Sequence, residues 1–378
     1  MKKKSFVSLA VSAATFFIIG TNISLNFSLV FMSACLASCT MQHKESFDAK
    51  YGHEDFKETK ALKGACIKLP SSLSPREMYV VRDSFVLATN NNPGQKYKVA
   101  LFSMNDWRCI NEFARIGHAK GEYIDCGATL HGDGQSMFYL TDAVQNYCAV
   151  CSIDSLMNGG SCAMETFNYS RGVIDFYPLT GQRYVGFDMW HLSSGKYANE
   201  GTHAVDLYDV HSSTPKRQNK YKNFVANVTG GTIFENPNNH DIWVAYRYDN
   251  RIEIYDSQLQ LKKAICGPSD SQTKYVGKEE RGATEVLQSS NSYTSCFGRC
   301  AVTKNHVYLI YENQNNTKRT EVPRPVEVLK FDWNGNPISN YQLDKFAYTI
   351  SVDSKEQNLY ATCCDSYTGD IQFVKYAL

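Results

Sequence analysis

Short apolar strands recur along the chain at intervals of 46 to 65 residues, each followed across a polar gap by a second strand that usually ends in an aromatic or aliphatic residue and Asp. The first strands run Phe85 to Thr89, Phe138 to Asp142, Tyr184 to Asp188, Ile242 to Tyr246, Val307 to Tyr311 and Leu359 to Cys363. Their partners are Tyr97 to Met104, Tyr147 to Asp154, Ala204 to Asp209, Ile252 to Asp256, Val326 to Asp332 and Ile371 to Leu378. Supersecondary units repeating at this spacing read as propeller blades. The pattern predicts an all-β, six-bladed β-propeller of four-stranded antiparallel blades.

The innermost strand of a blade lies where the blades crowd together, and small residues suit it. Gly127-Ala128, Gly172-Val173, Gly230-Gly231-Thr232 and Gly298 each precede the next apolar strand. In the first blade, Met78 to Val81 is expected innermost and Cys109 to Phe113 outermost. The last blade offers only Phe346 to Val352, Leu359 to Cys363 and Ile371 to Leu378 before the chain stops. An unpaired edge there invites aggregation, so a fourth strand must come from elsewhere. Cys66 to Leu69 is the expected donor, an N-terminal strand (about 66–69) pairing with the strand that ends at Leu378.

Ahead of the propeller, Lys2, Lys3 and Lys4 precede an uncharged run from Ser5 to His43, the order of an export signal. Leu36-Ala37-Ser38-Cys39 has the form of a bacterial lipobox, with Cys39 as the expected lipid attachment site. Residues 1–38 are therefore read as a lipoprotein signal peptide, 39–63 as a flexible polar tether and 64–378 as the propeller. The expected location is export, with a lipid anchor in a bacterial membrane, on its periplasmic face or at the cell surface. Removing the three leader lysines from 39 basic residues, against 38 acidic ones, leaves a mature charge near −2. Nucleic-acid binding, which needs clustered positive potential, is not expected.

Thirteen cysteines become eleven once Cys35 and Cys39 are set aside, and an odd number excludes a complete disulfide framework within a monomer, the expected state. Cys148 and Cys151 lie in one predicted strand, where an offset of three points side chains to opposite faces. Cys296 and Cys300, near a loop, are the better disulfide or ligand candidates. No metal site is predicted.

Two stretches resemble the TolB-like six-bladed β-propeller lipoproteins of Gram-negative bacteria. Gly117-His118-Ala119-Lys120-Gly121-Glu122-Tyr123 is similar to a Gly-rich loop ending Gly-Glu-aromatic after that family's first blade, with Ala119 and Lys120 in place of the usual Gly and Pro. Val328-Leu329-Lys330-Phe331-Asp332-Trp333-Asn334-Gly335-Asn336-Pro337, followed by Tyr341-x-Leu343-Asp344, Val352-Asp353 and Leu359-Tyr360-Ala361, is the closer match. Asn334-Gly335 suits a tight turn between two outer strands. The resemblance covers about residues 64 to 378 and implies a fold, not a chemistry.

No Gly-x-Ser-x-Gly, His-Glu-x-x-His or Gly-x-x-x-x-Gly-Lys-Ser motif is present. Charged residues beside the proposed inner strands and Gly-rich loop are the candidate ligand-binding set: Arg115, His118, Glu122, Asp125, Arg171, Asp175 and Arg299. For Arg299 the alternatives are an anion contact at the channel mouth and an inter-blade salt bridge. Glu122 could bind a cation or hold neighbouring backbone amides. Trp107, Trp190 and Tyr197 are candidate loop aromatics for a glycan or protein ligand. These features make the chain a membrane-anchored envelope lipoprotein whose propeller is a binding scaffold for a protein or glycan, with no cofactor. The alternative is a propeller enzyme, a metal-dependent hydrolase or lyase, whose divalent cation is held on the axis by carboxylates such as Asp125, Asp175 and Glu235. A purely structural subunit would instead show a large apolar patch on one face.

Overall fold

In the computed structural model the described residues are 47–70, 73, 75–90, 96–119, 121–160, 163–188, 202–210, 217–221, 230–269, 275–280, 283–288, 294–315, 324–365 and 368–378. The expected signal peptide, Cys39, Trp190 and Tyr197 lie outside them.

Three short strands come first: β1 (Ala49–Lys50), β2 (Glu58–Leu62) and β3 (Ala65–Ile67). Six blades follow. Blade 1 is β4 (Pro75–Val81), β5 (Phe85–Asn90), β6 (Tyr97–Ser103) and β7 (Cys109–Arg115). Blade 2 is β8 (Cys126–His131), β9 (Met137–Asp142), β10 (Tyr147–Ser152) and β11 (Ala163–Asn168), with the short helix α1 (Ile153–Met157) between its last two strands. Blade 3 is β12 (Val173–Leu179), β13 (Arg183–Asp188), β14 (Thr202–Asp209) and β15 (Arg217–Tyr221). Blade 4 is β16 (Gly231–Glu235), β17 (Ile242–Tyr246), β18 (Arg251–Tyr255) and β19 (Leu261–Cys266). A separate hairpin, β20 (Tyr275–Glu280) with β21 (Ala283–Gln288), precedes blade 5. Blade 5 is β22 (Thr294–Val302), β23 (His306–Asn315), β24 (Glu327–Asp332) and β25 (Pro337–Leu343). Blade 6 is β26 (Phe346–Val352), β27 (Asn358–Cys364), β28 (Ile371–Ala377) and, from the other end of the chain, β3.

The expected closure is present. β3 pairs antiparallel with β28, placing Ile67 opposite Phe373, Cys66 opposite Val374 and Ala65 opposite Lys375. On the inner side, Met78 and Val80 of β4 donate their amides to Thr362 Oγ1 and Ser351 Oγ of blade 6, both at 2.9 Å. Thr349 Oγ1 donates to Thr362 Oγ1 at 2.9 Å. Buried hydroxyls thus satisfy backbone groups at the inner rim that no further strand can reach. Thr349, Ser351 and Thr362 are accordingly buried.

The second and third strands of a blade lie between two neighbouring sheets, so both faces are buried and the sequence runs apolar without alternation. β17 and β18 are buried at every position. The outer β11 alternates instead. Apolar clusters form at the junctions: Leu87, Leu101, Phe138 and Leu140 between blades 1 and 2, and Val80, Val86, Tyr360 and Phe373 between blades 6 and 1. Cys148 and Cys151 fall into different clusters, as strand alternation requires. The recurrent Asp after a third strand also has a reason. Asp256 Oδ1 accepts the amides of Gln258 and Gln260, and Asp332 Oδ1 those of Asn334 and Asn336, so each carboxylate caps the turn into the fourth strand. Gly335 supplies the positive φ there, +78°.

Residues 47–63, expected as part of a flexible tether, instead form a strap along the outer rim. β1 adds in parallel to β19 and β2 in parallel to β25, so blades 4 and 5 each carry a fifth strand. Tyr51 and Phe56 are buried against Phe331, with ring centroids 5.4 and 5.8 Å from it, and Leu62 is buried in the next cluster. Polar composition hid this segment because its affinity comes from backbone pairing and three widely spaced apolar anchors.

At the end of the ring where the inner strands finish, every junction is tied by hydrogen bonds. Arg82 Nε donates to Gln135 O (blades 1 and 2), Gly132 N to Tyr177 OH (2 and 3), Arg183 Nη1 to Ser257 O (3 and 4), and Asn238 Nδ2 to Lys304 O (4 and 5). Thr303 Oγ1 donates to Glu356 Oε1 (5 and 6), and Ser354 N to Asp83 Oδ1 (6 and 1). Glu356 also accepts from Tyr308 OH at 2.9 Å and pairs with His306 at 2.5 Å and Lys330 at 3.2 Å. Burial pushes its carboxyl up, but hydrogen bonds from Thr303, His306 and Tyr308 outweigh this and hold it at about 2, against an ordinary 4.5. A carboxyl depressed in the folded state contributes stability that is complete above the unfolded value and is lost as pH falls from 4.5 towards 2. Denaturant midpoints measured across that window should fall more steeply for the native chain than for Glu356→Gln; parallel curves would show that Glu356 carries no such linkage.

Candidate functional site

All six inner strands line one cavity of about 360 Å³ on the ring axis. Its wall includes Tyr79, Thr129, Tyr139, Asp175, Tyr177, Thr232, Arg247, Arg299, Cys300 and Ser351. It extends from the first residues of β12 and β16 to the Gly132–Gln135 turn that ends the inner strand of blade 2. The longest connections within and between blades leave strands at the first of these two ends: 189–201, 222–230, 267–293 and 316–326. The opposite end carries shorter turns such as 82–84, 180–182, 303–305 and 353–357. One face of the ring is thus pinned, and the longer connections depart from the other.

Two guanidinium–carboxylate pairs organise the cavity. Arg299 of β22 reaches across the axis to Glu77 of blade 1, Nη2 to Oε1 at 2.7 Å, with longer contacts from Nη1 to Tyr79 OH at 3.5 Å and to Thr129 Oγ1 of blade 2 at 3.4 Å. Tyr79 and Glu77 raise its pKa against the pull of burial. Arg247, directly after β17, pairs with Asp175 at 3.2 Å. Burial opposes its charge, but Asp175 raises its pKa. Asp175 sits at a bulge in β12 with φ +44° and also accepts Gly231 N at 3.1 Å. Bulges commonly re-aim a side chain beside a site. Each arginine side chain keeps 43% of its surface accessible, against 8% for Glu77 and 27% for Asp175, so the guanidinium groups face the cavity more than their counter-ions do.

Tyr79, Tyr139 and Tyr177 add phenolic edges, and burial raises the pKa of each. Burial pushes the Cys300 thiol up to about 12, which keeps it protonated and not nucleophilic at neutral pH. Cys296 and Cys300, expected as a disulfide or ligand pair, are both free thiols. Cys296 is buried, its Sγ 3.8 Å from Thr294 O, and two register shifts interrupt β22 between Ser295 and Cys300.

Of the candidate residues, Asp175 and Arg299 line the cavity. Arg115, His118, Glu122 and Asp125 lie in or beside the loop from blade 1 to blade 2. There Glu122 Oε2 accepts Ala119 N at 3.0 Å, Oε1 meets Arg115 Nε at 3.3 Å, and its carbonyl accepts Gln145 Nε2 at 2.9 Å. A Cβ at Gly117 would stand 1.8 Å from Glu122 Oε2, so a larger residue there would displace the Glu122 carboxylate from this position. His118 is exposed, Asp125 is 3.6 Å from Lys98, and Arg171 is exposed in the turn before β12. The carboxylates Asp125, Asp175 and Glu235 are not brought together: Glu235 is 2.9 Å from His240. No group of three or more metal-binding side chains occurs among the described residues. Glu77 and Arg247 escaped the sequence reading. Glu77 and Arg299 stand 222 positions apart, and no local pattern joins them.

Glu77 Oε2 is buried without a hydrogen-bond partner, so its charge depends on Arg299. Removing one partner of such a pair is costly, whereas replacing both by apolar groups is often neutral. Arg299→Met should therefore destabilise by about 3–5 kcal/mol, and Arg299→Met with Glu77→Leu by clearly less. Equal losses in a chemical-denaturation double-mutant cycle would deny the coupling.

A protein of the DUF4221 family from Bacteroides vulgatus superposes with TM-score 0.52 at 10% identity, covering 83% of this chain and 98% of that one. A second solved structure, from Bacteroides fragilis, gives 0.50 at 11%, covering 87% and 98%. At such identities the likeness is one of fold. No curated protein matches by sequence. The family described as TolB-like 6-blade propeller-like matches residues 55–355, from the strap to the last blade. The chain belongs to the TolB-like six-bladed propeller family.

Proposed function

We propose that this protein is a membrane-anchored envelope lipoprotein whose propeller binds, without catalysis, a ligand that enters the axial cavity, either the end of a glycan or the end of a peptide. The observation that carries the reading is the cavity itself: all six blades contribute, aromatic rings and charged groups line it, and its size falls within the range of small-molecule sites. A broad protein-docking face has less support. Among the described residues, the exposed large apolar ones, Val144, Met164, Ile174, Leu261 and Tyr348, are spread over four blades. Catalysis also has less support, because Asp175 and Glu77 each pair with a guanidinium and the Cys300 thiol is protonated.

The anchor rests on Lys2 to Lys4 and the Leu36-Ala37-Ser38-Cys39 lipobox. Metabolic labelling with a palmitate analogue should mark the native chain and not Cys39→Ser; equal labelling of both would remove the anchor. Ligand entry is tested by thermal unfolding of the full chain in detergent against panels of saccharides, peptides and small metabolites. A ligand at 100 times its Kd adds about 2.7 kcal/mol. That gain should vanish in Thr129→Trp, which fills the cavity, and its persistence there would place binding elsewhere. No response to any panel member would count against the cavity as a site.

A further inference from the structure

We propose that the ligand of the axial cavity is a neutral saccharide of one or two rings, held by the Arg299 and Arg247 guanidinium groups and the Asp175 carboxylate against a wall of tyrosines. This inference rests on the binding reading above and specifies its chemistry.

Charge balance comes first. The cavity wall carries two guanidinium groups, each already compensated, Arg299 by Glu77 at 2.7 Å and Arg247 by Asp175 at 3.2 Å, and a further carboxylate, Asp133, which accepts Gln135 N in the turn at the pinned end. An anionic ligand gains little from an arginine whose charge is already spent on a partially desolvated partner, and it would crowd the carboxylates. A cationic ligand meets the two guanidinium groups, which are the more accessible members of each pair. A neutral ligand escapes both penalties.

Hydrogen-bonding capacity remains after charge is neutralised. A guanidinium has five N–H donors in a planar fork, and the pairs described use only part of that set. Asp175 has two oxygens, of which Oδ2 receives Gly231 N and Arg247. A donor fork beside an acceptor matches vicinal hydroxyls, each of which both donates and accepts. Thr129 and Tyr79 lie within reach of Arg299 and extend the polar strip along the axis. Tyr139, Tyr169, Phe176 and Tyr177 line the cavity on the side of blades 2 and 3. These rings are buried and packed on one another, and their hydroxyls are held by backbone groups, Tyr139 OH donating to Phe176 O, Tyr169 OH to Asp142 O, and Tyr177 OH accepting from Gly132 N, so they give the polar strip a rigid apolar backing. The volume, about 360 Å³, stands near the lower end of small-molecule sites and limits the buried part to about one or two rings.

The bulge supplies a further reason. Asp175 holds a left-handed φ of +44°, a conformation that costs a non-glycine residue energy and persists only where its surroundings enforce it. The result is a carboxylate aimed at Arg247 and Gly231 from blade 3 into the space between blades 3 and 4.

The test is a glycan array carrying neutral and uronate-bearing mono- to trisaccharides with matched linkages, together with zwitterionic di- and tripeptides, probed with the full chain in detergent and followed by calorimetry. The native chain should bind a neutral saccharide at least tenfold more tightly than its uronate counterpart. Asp175→Asn, which removes the carboxylate paired with Arg247, should shift that ratio by at least tenfold toward the uronate; a merely structural role for Asp175 would weaken both alike. His118→Ala, at an exposed loop position outside the cavity, serves as a folded control and should bind as the native chain does. Preferential binding of uronates or peptides by the native chain would overturn the saccharide proposal while leaving the cavity as a binding site. Absence of every saccharide from the bound set would overturn it as well. Loss of cavity binding for all classes, judged by the Thr129→Trp comparison, would remove the underlying reading too.

Discussion

Everything in this structure depends on closing the ring. Six sheets packed face to face bury their central strands on both sides only if the sixth meets the first, and one open junction would expose the apolar faces of two blades. The chain meets that demand by bringing β3 back to β28, so that residues from opposite ends of the sequence share one sheet. The same junction is sealed on its inner side by Thr349, Ser351 and Thr362, which bond the amides and carbonyl of β4. Backbone pairing fixes the outer edge and buried hydroxyls fix the inner one. The strap that carries β3 continues this logic along blades 4 and 5, adding parallel strands where edges would otherwise stand open.

Closure also explains the asymmetry between the two ends. Short turns leave little freedom at one face, and hydrogen bonds there connect every neighbouring pair of blades. With that face pinned, the connections at the other end can lengthen without loosening the ring, because loop length adds only slowly to the entropy of closure. The axial cavity reaches the end from which these longer connections depart, between inner strands whose positions are set by the pinned face. Inner strands held rigidly around a cavity suit recognition, since preorganised groups lose less entropy when a ligand binds.

The charged groups of the cavity follow from the same geometry. Inner strands converge on the axis, so side chains from blades far apart in sequence come within bonding distance. Arg299 and Glu77 pair from blades 5 and 1, and Arg299 also approaches Thr129 of blade 2, on the opposite side of the ring. Such contacts neutralise charge inside a partly desolvated space and hold the blades in register.

The blade count, the order of strands, the need for a closing strand and its source were all written in local patterns, because apolar runs, turn residues and an unpaired last edge are properties of neighbouring residues. Strand alternation likewise separates Cys148 from Cys151, which pack into different clusters. The strap was illegible, since Tyr51, Phe56 and Leu62 follow no period and act through backbone pairing with distant strands. Asp175 and Arg299 could be named from their positions beside inner strands, but they could not be separated from Arg115, His118, Glu122, Asp125 and Arg171. Nothing local assigns a charged residue to the axis, to a rim or to a loop. Tertiary structure made that choice, because only the meeting of six inner strands decides which side chains share the central space and which counter-ions neutralise them.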